Sequence, residues 1–219
     1  MNWVESIEEI RKAQENNQLV VFVGAGVSRN SGLPSWGQLV NAIADTIGYK
    51  HSDRCTTCDK QNTACQKNSC GAQQDFSQDE YLRIPEYFYQ QDNSDNHKDY
   101  YDFIVRTLNS DNGPNPIDDE IFNLLPHHII TTNYDALLEK TKNSNVPLYT
   151  VVSEDSDLLS KANNRYIIKM HGDLAFPSSM VLKESDYIDY EQDHPLISTF
   201  VRSLLINHSF LFGRGRIMV

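Results

Sequence analysis

Basic residues are scarce in this chain. Nineteen lysines and arginines face thirty aspartates and glutamates over 219 residues, a net charge of −11. So acidic a surface has no broad positive face for nucleic-acid phosphates or anionic lipid headgroups, and neither is an expected partner. Long apolar runs are missing too. No stretch approaches the roughly 20 residues that cross a bilayer, so no membrane association is expected. Residues 1–18 carry acids and amides where a secretion signal needs an apolar centre. The expectation is a soluble, cytoplasmic protein. Cysteine is absent from most of the chain, because all four thiols fall between Cys55 and Cys70. They are not scattered core thiols, and a reducing compartment argues against disulfides.

What is present suffices for one domain with a real core. Trp3, Ile7, Ile10 and Gln14 form a helical stripe, which predicts an amphipathic helix over 4–15. Residues 19–23 are an unbroken, β-branched apolar run, the pattern of a strand buried on both faces. Leu39, Val40, Ile43 and Ile47 share one side of a helix over 36–47. Further helices are expected over 80–89, interrupted by Pro85, over 97–108, and over 116–125, with Pro116 in the first turn. Strands are expected over 128–132, 148–152, 166–170, 180–182 and 209–212. Helices are expected to open at 135–140 and to run over 195–206. The alternation predicts an α/β fold, a doubly wound, Rossmann-like, mostly parallel sheet with helices on both faces. Residues 50–78 interrupt it with hardly anything apolar besides the cysteines, so they cannot form a core of their own. They are expected as a cysteine-rich insertion within a single domain spanning 1–219.

Three stretches carry chemistry, each at the C-terminal end of an expected strand, where doubly wound sheets bind ligands. In the first, Gly24-Ala25-Gly26 follows the 19–23 strand. Backbone N–H groups in such a turn can approach a pyrophosphate, and Ser28 offers a hydroxyl. Arg29 occupies the last glycine position of the G-x-G-x-x-G pattern, and a tight turn without ligand is the alternative. In the second, Thr131-Thr132-Asn133-Tyr134-Asp135, Asn133 can orient a ribose hydroxyl or a water and Asp135 can accept from an amide; either could instead cap the next helix. In the third, Lys169-Met170-His171-Gly172-Asp173, His171 is a general-base candidate and Gly172 lets the chain turn away. A backbone-bonded histidine without chemistry is the alternative.

As a set, Gly24-Ala25-Gly26-Val27-Ser28, Thr132-Asn133-Tyr134-Asp135 and His171-Gly172 resemble the sirtuin family's GAG-x-S loop, T-x-N-x-D segment and HG histidine. The similarity covers most of the chain from about residue 19 to residue 208, apart from the cysteine insertion. Within the family, the segments at 80–85, 129–135 and 181–187 resemble the bacterial defence-associated, antiphage sirtuins. The resemblance implies an NAD hydrolase that cleaves the nicotinamide–ribose bond and depletes cellular NAD. It implies that Asn133 positions the attacking water and the ribose, and that His171 takes a proton. It also implies that Gly24, Ala25, Gly26 and Ser28 hold the pyrophosphate and Asp135 contacts the nicotinamide amide. A homo-oligomer, and a further sensor region triggered by a phage protein, are implied as well.

The sequence departs from the family in three places. Protein-deacylating sirtuins carry G-[IV]-P-D-F-R after the loop, where this chain has Gly32-Leu33-Pro34-Ser35-Trp36-Gly37, which fits the hydrolase subgroup. The spacing Cys55-x2-Cys58-x6-Cys65-x4-Cys70 matches the family's structural zinc pattern only in its first pair. Four thiolates nonetheless suit a closed tetrahedral zinc site, with His51 near enough to replace one; reduced thiols without metal are the alternative. Finally, after residue 212 the chain turns basic and stops where the family continues, so it is expected to be truncated at its C-terminus. Two other functions stay open: a non-catalytic sensor of NAD or an ADP-ribose derivative, and an NAD-dependent protein deacylase.

Overall fold

A computed structural model describes residues 3–49, 76–109, 112–160 and 163–213. The expected cysteine-rich insertion, with Cys55, Cys58, Cys65 and Cys70, lies outside the described residues. So do 214–219.

Helix α1 (Trp3–Glu15) leads into β1 (Leu19–Val23). A one-turn helix, α2 (Ala25–Arg29), follows at once with Gly24 at its N-cap. Helix α3 (Trp36–Ile47) starts at a capping box: Ser35 Oγ accepts the Gln38 N–H, and the Gln38 side chain accepts the Ser35 N–H. Helices α4 (Gln78–Gln91), α5 (Lys98–Leu108) and α6 (Pro116–Asn123) precede β2 (His128–Thr131) and α7 (Leu137–Lys140). Then come β3 (Thr150–Val152), α8 (Asp155–Ser160), β4 (Tyr166–Lys169), α9 (Glu184–Ile188), α10 (Tyr190–Asp193), α11 (Pro195–Asn207) and β5 (Ser209–Gly213). The strands form one sheet in the order β3-β4-β2-β1-β5, every neighbouring pair parallel. The expected α/β sheet, helices on both faces, is the observed one.

Alternation along β1 explains the two layers. Leu19, Val21 and Val23 join Ile129 and Ile167 on one face, against Ala13 of α1 and Ile121 and Phe122 of α6. Val20 joins Ile130, Val152 and Ile168 on the other, against Ile197 and Leu204 of α11. Each such side chain contributes about 1.5–3 kcal/mol by leaving water. A third cluster stands apart from the sheet. Leu39, Val40 and Ile43 of α3, Ile84 of α4, and Tyr100 and Ile104 of α5 pack together with Tyr134, Met180 and Leu182.

Register brings the site together. Val23 lies level with Thr131, and Thr131 level with Lys169. The loops after β1, β2 and β4 therefore leave the sheet side by side.

Several expectations need correction. Residues 180–182 form no strand. They follow a 3-10 turn, Pro177–Ser179, and are buried, Met180 and Leu182 in the helical cluster, while Val181 bonds across to the loops, its N–H donating to His171 O at 3.0 Å and its O accepting from Tyr134 Oη at 2.7 Å. Pro85 does not interrupt α4: the helix continues through it, with Ile84 and Pro85 buried, so packing compensates for the missing N–H. The third strand starts at Thr150, since Val146–Leu148 coils into a 3-10 turn. The stripe of α1 is only partly used: Ile10 and Ala13 pack on the sheet, while Trp3 and Ile7 remain exposed.

Candidate active site

At the C-terminal edge of the sheet, an apolar cavity of about 190 Å³ lies between the strand loops and the helical cluster. Ser28, Asn133, Asp135 and His171 line the sheet side. Leu33, Pro34, Trp36, Leu39, Leu108 and Tyr187 form much of the opposite wall. The volume is below the roughly 300–1,000 Å³ of a typical small-molecule site. It takes one ring and its neighbouring groups, not a whole dinucleotide.

The polar side is a chain of hydrogen bonds. Thr131 Oγ1 donates to Val23 O at 2.9 Å and accepts the Asn133 N–H at 3.0 Å, which ties the second loop to the first strand. The Asn133 side-chain amide then donates to Ser28 Oγ at 2.8 Å and to Gly24 O at 3.3 Å. Ser28 Oγ donates in turn to Asp135 Oδ2 at 2.7 Å. Asp135 Oδ1 accepts the Leu137 N–H at 3.1 Å, opening α7. Both hydrogens of the Asn133 amide are thus engaged, whereas its Oδ1 is buried with no hydrogen-bond partner among the described residues. Asn133 also lines the cavity, and an unmet buried acceptor beside it is what a ligand hydroxyl or a water would satisfy once the amide turns toward that space.

Gly24 and Gly172 are glycine for different reasons. A Cβ on Gly24 would meet nothing within 4 Å, so the space above this backbone is open to a ligand. Gly172 has φ +82°, and a Cβ there would lie 2.3 Å from Ser179 O. The turn that carries His171 away from β4 therefore excludes any side chain.

His171 packs edge-on against Tyr187, ring centroids 5.5 Å apart. Burial, with a smaller contribution from the charge of His194, lowers its pKa from 6.5 to about 4. The imidazole is therefore neutral at physiological pH, the form that can take a proton.

Beneath the loops lies Lys169, 1% exposed. Its ammonium shares three N–H donors among four acceptors, Tyr134 O (3.1 Å), Asp135 O (2.8 Å), Glu139 Oε1 (3.2 Å) and Asp173 Oδ2 (2.6 Å). One buried cation thus pins the Asn133–Asp135 loop to the His171–Asp173 loop. Sequence reasoning gave Lys169 no role, and a lysine ending an apolar strand was the available signal. Asn115 was missed as well. Its amide donates to Val27 O (3.1 Å) and Ser31 Oγ (2.9 Å), bracing α2 from the cap of α6; the Asn-Pro pair at 115–116 was the cue.

A nucleotide-type crevice on a parallel sheet defines the class, and residues 127–215 match the family model of the SIR2-like domain. The chain is similar to Defense-associated sirtuin 2 of Bacillus subtilis, 35% identical over 96% of this chain and 19% of that protein. It is also similar to the NAD(+) hydrolases ThsA of Cytobacillus dafuensis (28% identical, 94% of this chain, 37% of the relative) and of Bacillus cereus strain MSX-D12 (27%, 94% and 38%). The chain thus spans about a fifth to two fifths of these relatives' length.

Proposed function

We propose that this chain is an NAD-hydrolysing domain of an antiphage defence protein. In the reaction, water adds to the ribose C1′, the nicotinamide–ribose bond breaks, and the products are nicotinamide, ADP-ribose and one proton. Nicotinamide leaves as a neutral base from a cation, so positioning and electrostatic support carry most of the acceleration. Asn133 Oδ1 accepts from the water or a ribose hydroxyl, and neutral His171 takes the proton. The backbone of Gly24, Ala25 and Gly26 approaches the pyrophosphate. Ser28 acts chiefly through Asn133 and Asp135, since its proton already goes to Asp135, and Asp135 faces the nicotinamide amide. The observation that carries the reading is the unpartnered Asn133 Oδ1 in a cavity wall shared with His171. The names of the relatives support it.

The reading extends to a cytoplasmic protein that acts as a homo-oligomer and is triggered by a phage protein through a further region. It retains a single domain with an insertion at 50–78, whose Cys55, Cys58, Cys65 and Cys70 hold a structural zinc by the donor chemistry of four thiolates. The test is incubation of NAD with the purified chain. Nicotinamide and ADP-ribose appearing in equal amounts supports the proposal; NAD bound but uncleaved overturns it. That second outcome is the signature of a sensor module, which the low basicity of His171 favours as the alternative.

A further inference from the structure

At the opposite end of the sheet, His127 and His128 open β2 and His208 lies between α11 and β5. These strands flank β1 on its two sides. Chain segments 80 residues apart thereby bring three imidazoles together, and one ring nitrogen of each lies within 4.8 Å of the other two. The rings of His127 and His128 are 4.3 Å apart by centroid, those of His127 and His208 5.7 Å. Nδ1 of His127 and Nδ1 of His208 are both buried without a hydrogen-bond partner among the described residues. Two of the three rings thus carry a buried nitrogen short of a partner, with the Leu204 carbonyl the other polar group near His208.

We propose that His127, His128 and His208 form a binding site for a divalent transition metal of the zinc type, distinct from the candidate active site and from the cysteine segment. Tetrahedral zinc at 2.0–2.1 Å from each nitrogen sets its ligands about 3.3 Å apart. The cluster closes to that spacing by side-chain rotation of His127 and His208, both only partly buried. Burial lowers the pKa of all three, so each imidazole is neutral, the ligating form. A solvent-open groove lined by His127, His128, Arg165 and Tyr166 gives the ion a way in.

Two neighbours shape the site. His128 Nδ1 accepts the Tyr166 N–H at 3.2 Å, which places the neutral ring's proton on Nε2. Ligation through Nε2 moves that proton to Nδ1, where it meets the Tyr166 N–H donor to donor, so the His128 ring has to turn away from Tyr166 to take the metal. Arg165 opposes a second cation, although its guanidinium already donates to Leu125 O, Pro126 O and Asn17 Oδ1. An ion held by charge alone, such as Mg²⁺, is therefore rejected, whereas one bonded to nitrogen is retained. Such a metal clasps the α11–β5 junction to the start of β2 and steadies β5, which among the described residues pairs with β1 alone.

The experiment counts zinc on the whole chain after dialysis at neutral pH, beside His127→Ala and His208→Ala, with the cysteines alkylated in a parallel set. One equivalent is expected on the alkylated chain and none on either alkylated variant. Zinc at a hundredfold over its Kd is expected to raise the unfolding temperature of the parent by roughly 5–10 °C, and Mg²⁺ not at all. His208→Gln, which keeps the bulk of the side chain, serves if the alanine variant fails to fold. An alkylated chain without zinc, or one whose zinc survives the His127 and His208 substitutions, overturns the proposal.

Discussion

Asn133 donates its side-chain amide to the hydroxyl of Ser28 at 2.8 Å, across 105 positions of sequence. That bond joins the loop after β2 to the first turn after β1. It also leaves Asn133 Oδ1 as the atom of the amide with no hydrogen-bond partner among the described residues.

Ser28→Ala therefore removes two interactions, the acceptor for Asn133 and the donor to Asp135. Stability is expected to fall by about 1–3 kcal/mol for buried partners left unsatisfied. Nicotinamide release is expected to fall on the order of a hundredfold as Asn133 loses its orientation. Urea unfolding beside a turnover assay reads both; unchanged turnover would mean that Asn133 is held without Ser28.

Lys169→Met leaves Asp173 and Glu139 facing each other with no cation between them. Burial already raises the pKa of Glu139 against the opposing pull of Lys169. Removing one member of a buried ionic group costs about 3–5 kcal/mol. Adding Asp173→Asn to Lys169→Met is expected to restore part of the loss, and the double-mutant cycle in urea measures how much.

Gly172→Ala forces a Cβ to within 2.3 Å of Ser179 O at φ +82°. The left-handed backbone alone costs about 1–2 kcal/mol, and relieving the overlap moves His171. A fall in unfolding temperature together with lost turnover is the expected pair. A variant as stable and active as the parent would contradict the geometry of this turn.

The pH dependence follows from His171. Its pKa is lowered to about 4, so the ring keeps its basic form well below pH 6.5. The acid limb of kcat/KM is expected near pH 4, and a limb centred near 6.5 would contradict the burial of this ring. Stability has its own sign. The unfolded chain takes up this proton near pH 6.5 and the folded chain only near 4, so the stability associated with His171 is lost as pH falls between those values. His128, lowered to about 3, adds to the same trend. Urea midpoints at pH 5 are expected below those at pH 7, with a smaller difference in His171→Gln.

Much of the sheet was legible because its strands are short, unbroken apolar runs and its helices carry regular stripes. The run at 19–23 and the pattern at 36–47 match β1 and α3 at both ends. What misled was an apolar triplet at 180–182, since burial in a helical cluster leaves the same local pattern as burial in a sheet. The loops of the site were legible as motifs. Their cross-links were not, because the bonds from Lys169 to Tyr134 O and from Asn115 to Val27 O join residues far apart in sequence through backbone carbonyls. The apolar wall from Leu33 to Leu39 was hidden for a similar reason: α3 to α5 were expected singly, and only the fold packs them as a roof over the strand ends.

The most direct test of the central claim compares the chain with His171→Ala in one experiment, measuring NAD binding by calorimetry and nicotinamide release by chromatography. The account predicts release by the parent, and in the variant binding within a few-fold of the parent with release lost. Binding by both proteins without release from either would contradict it.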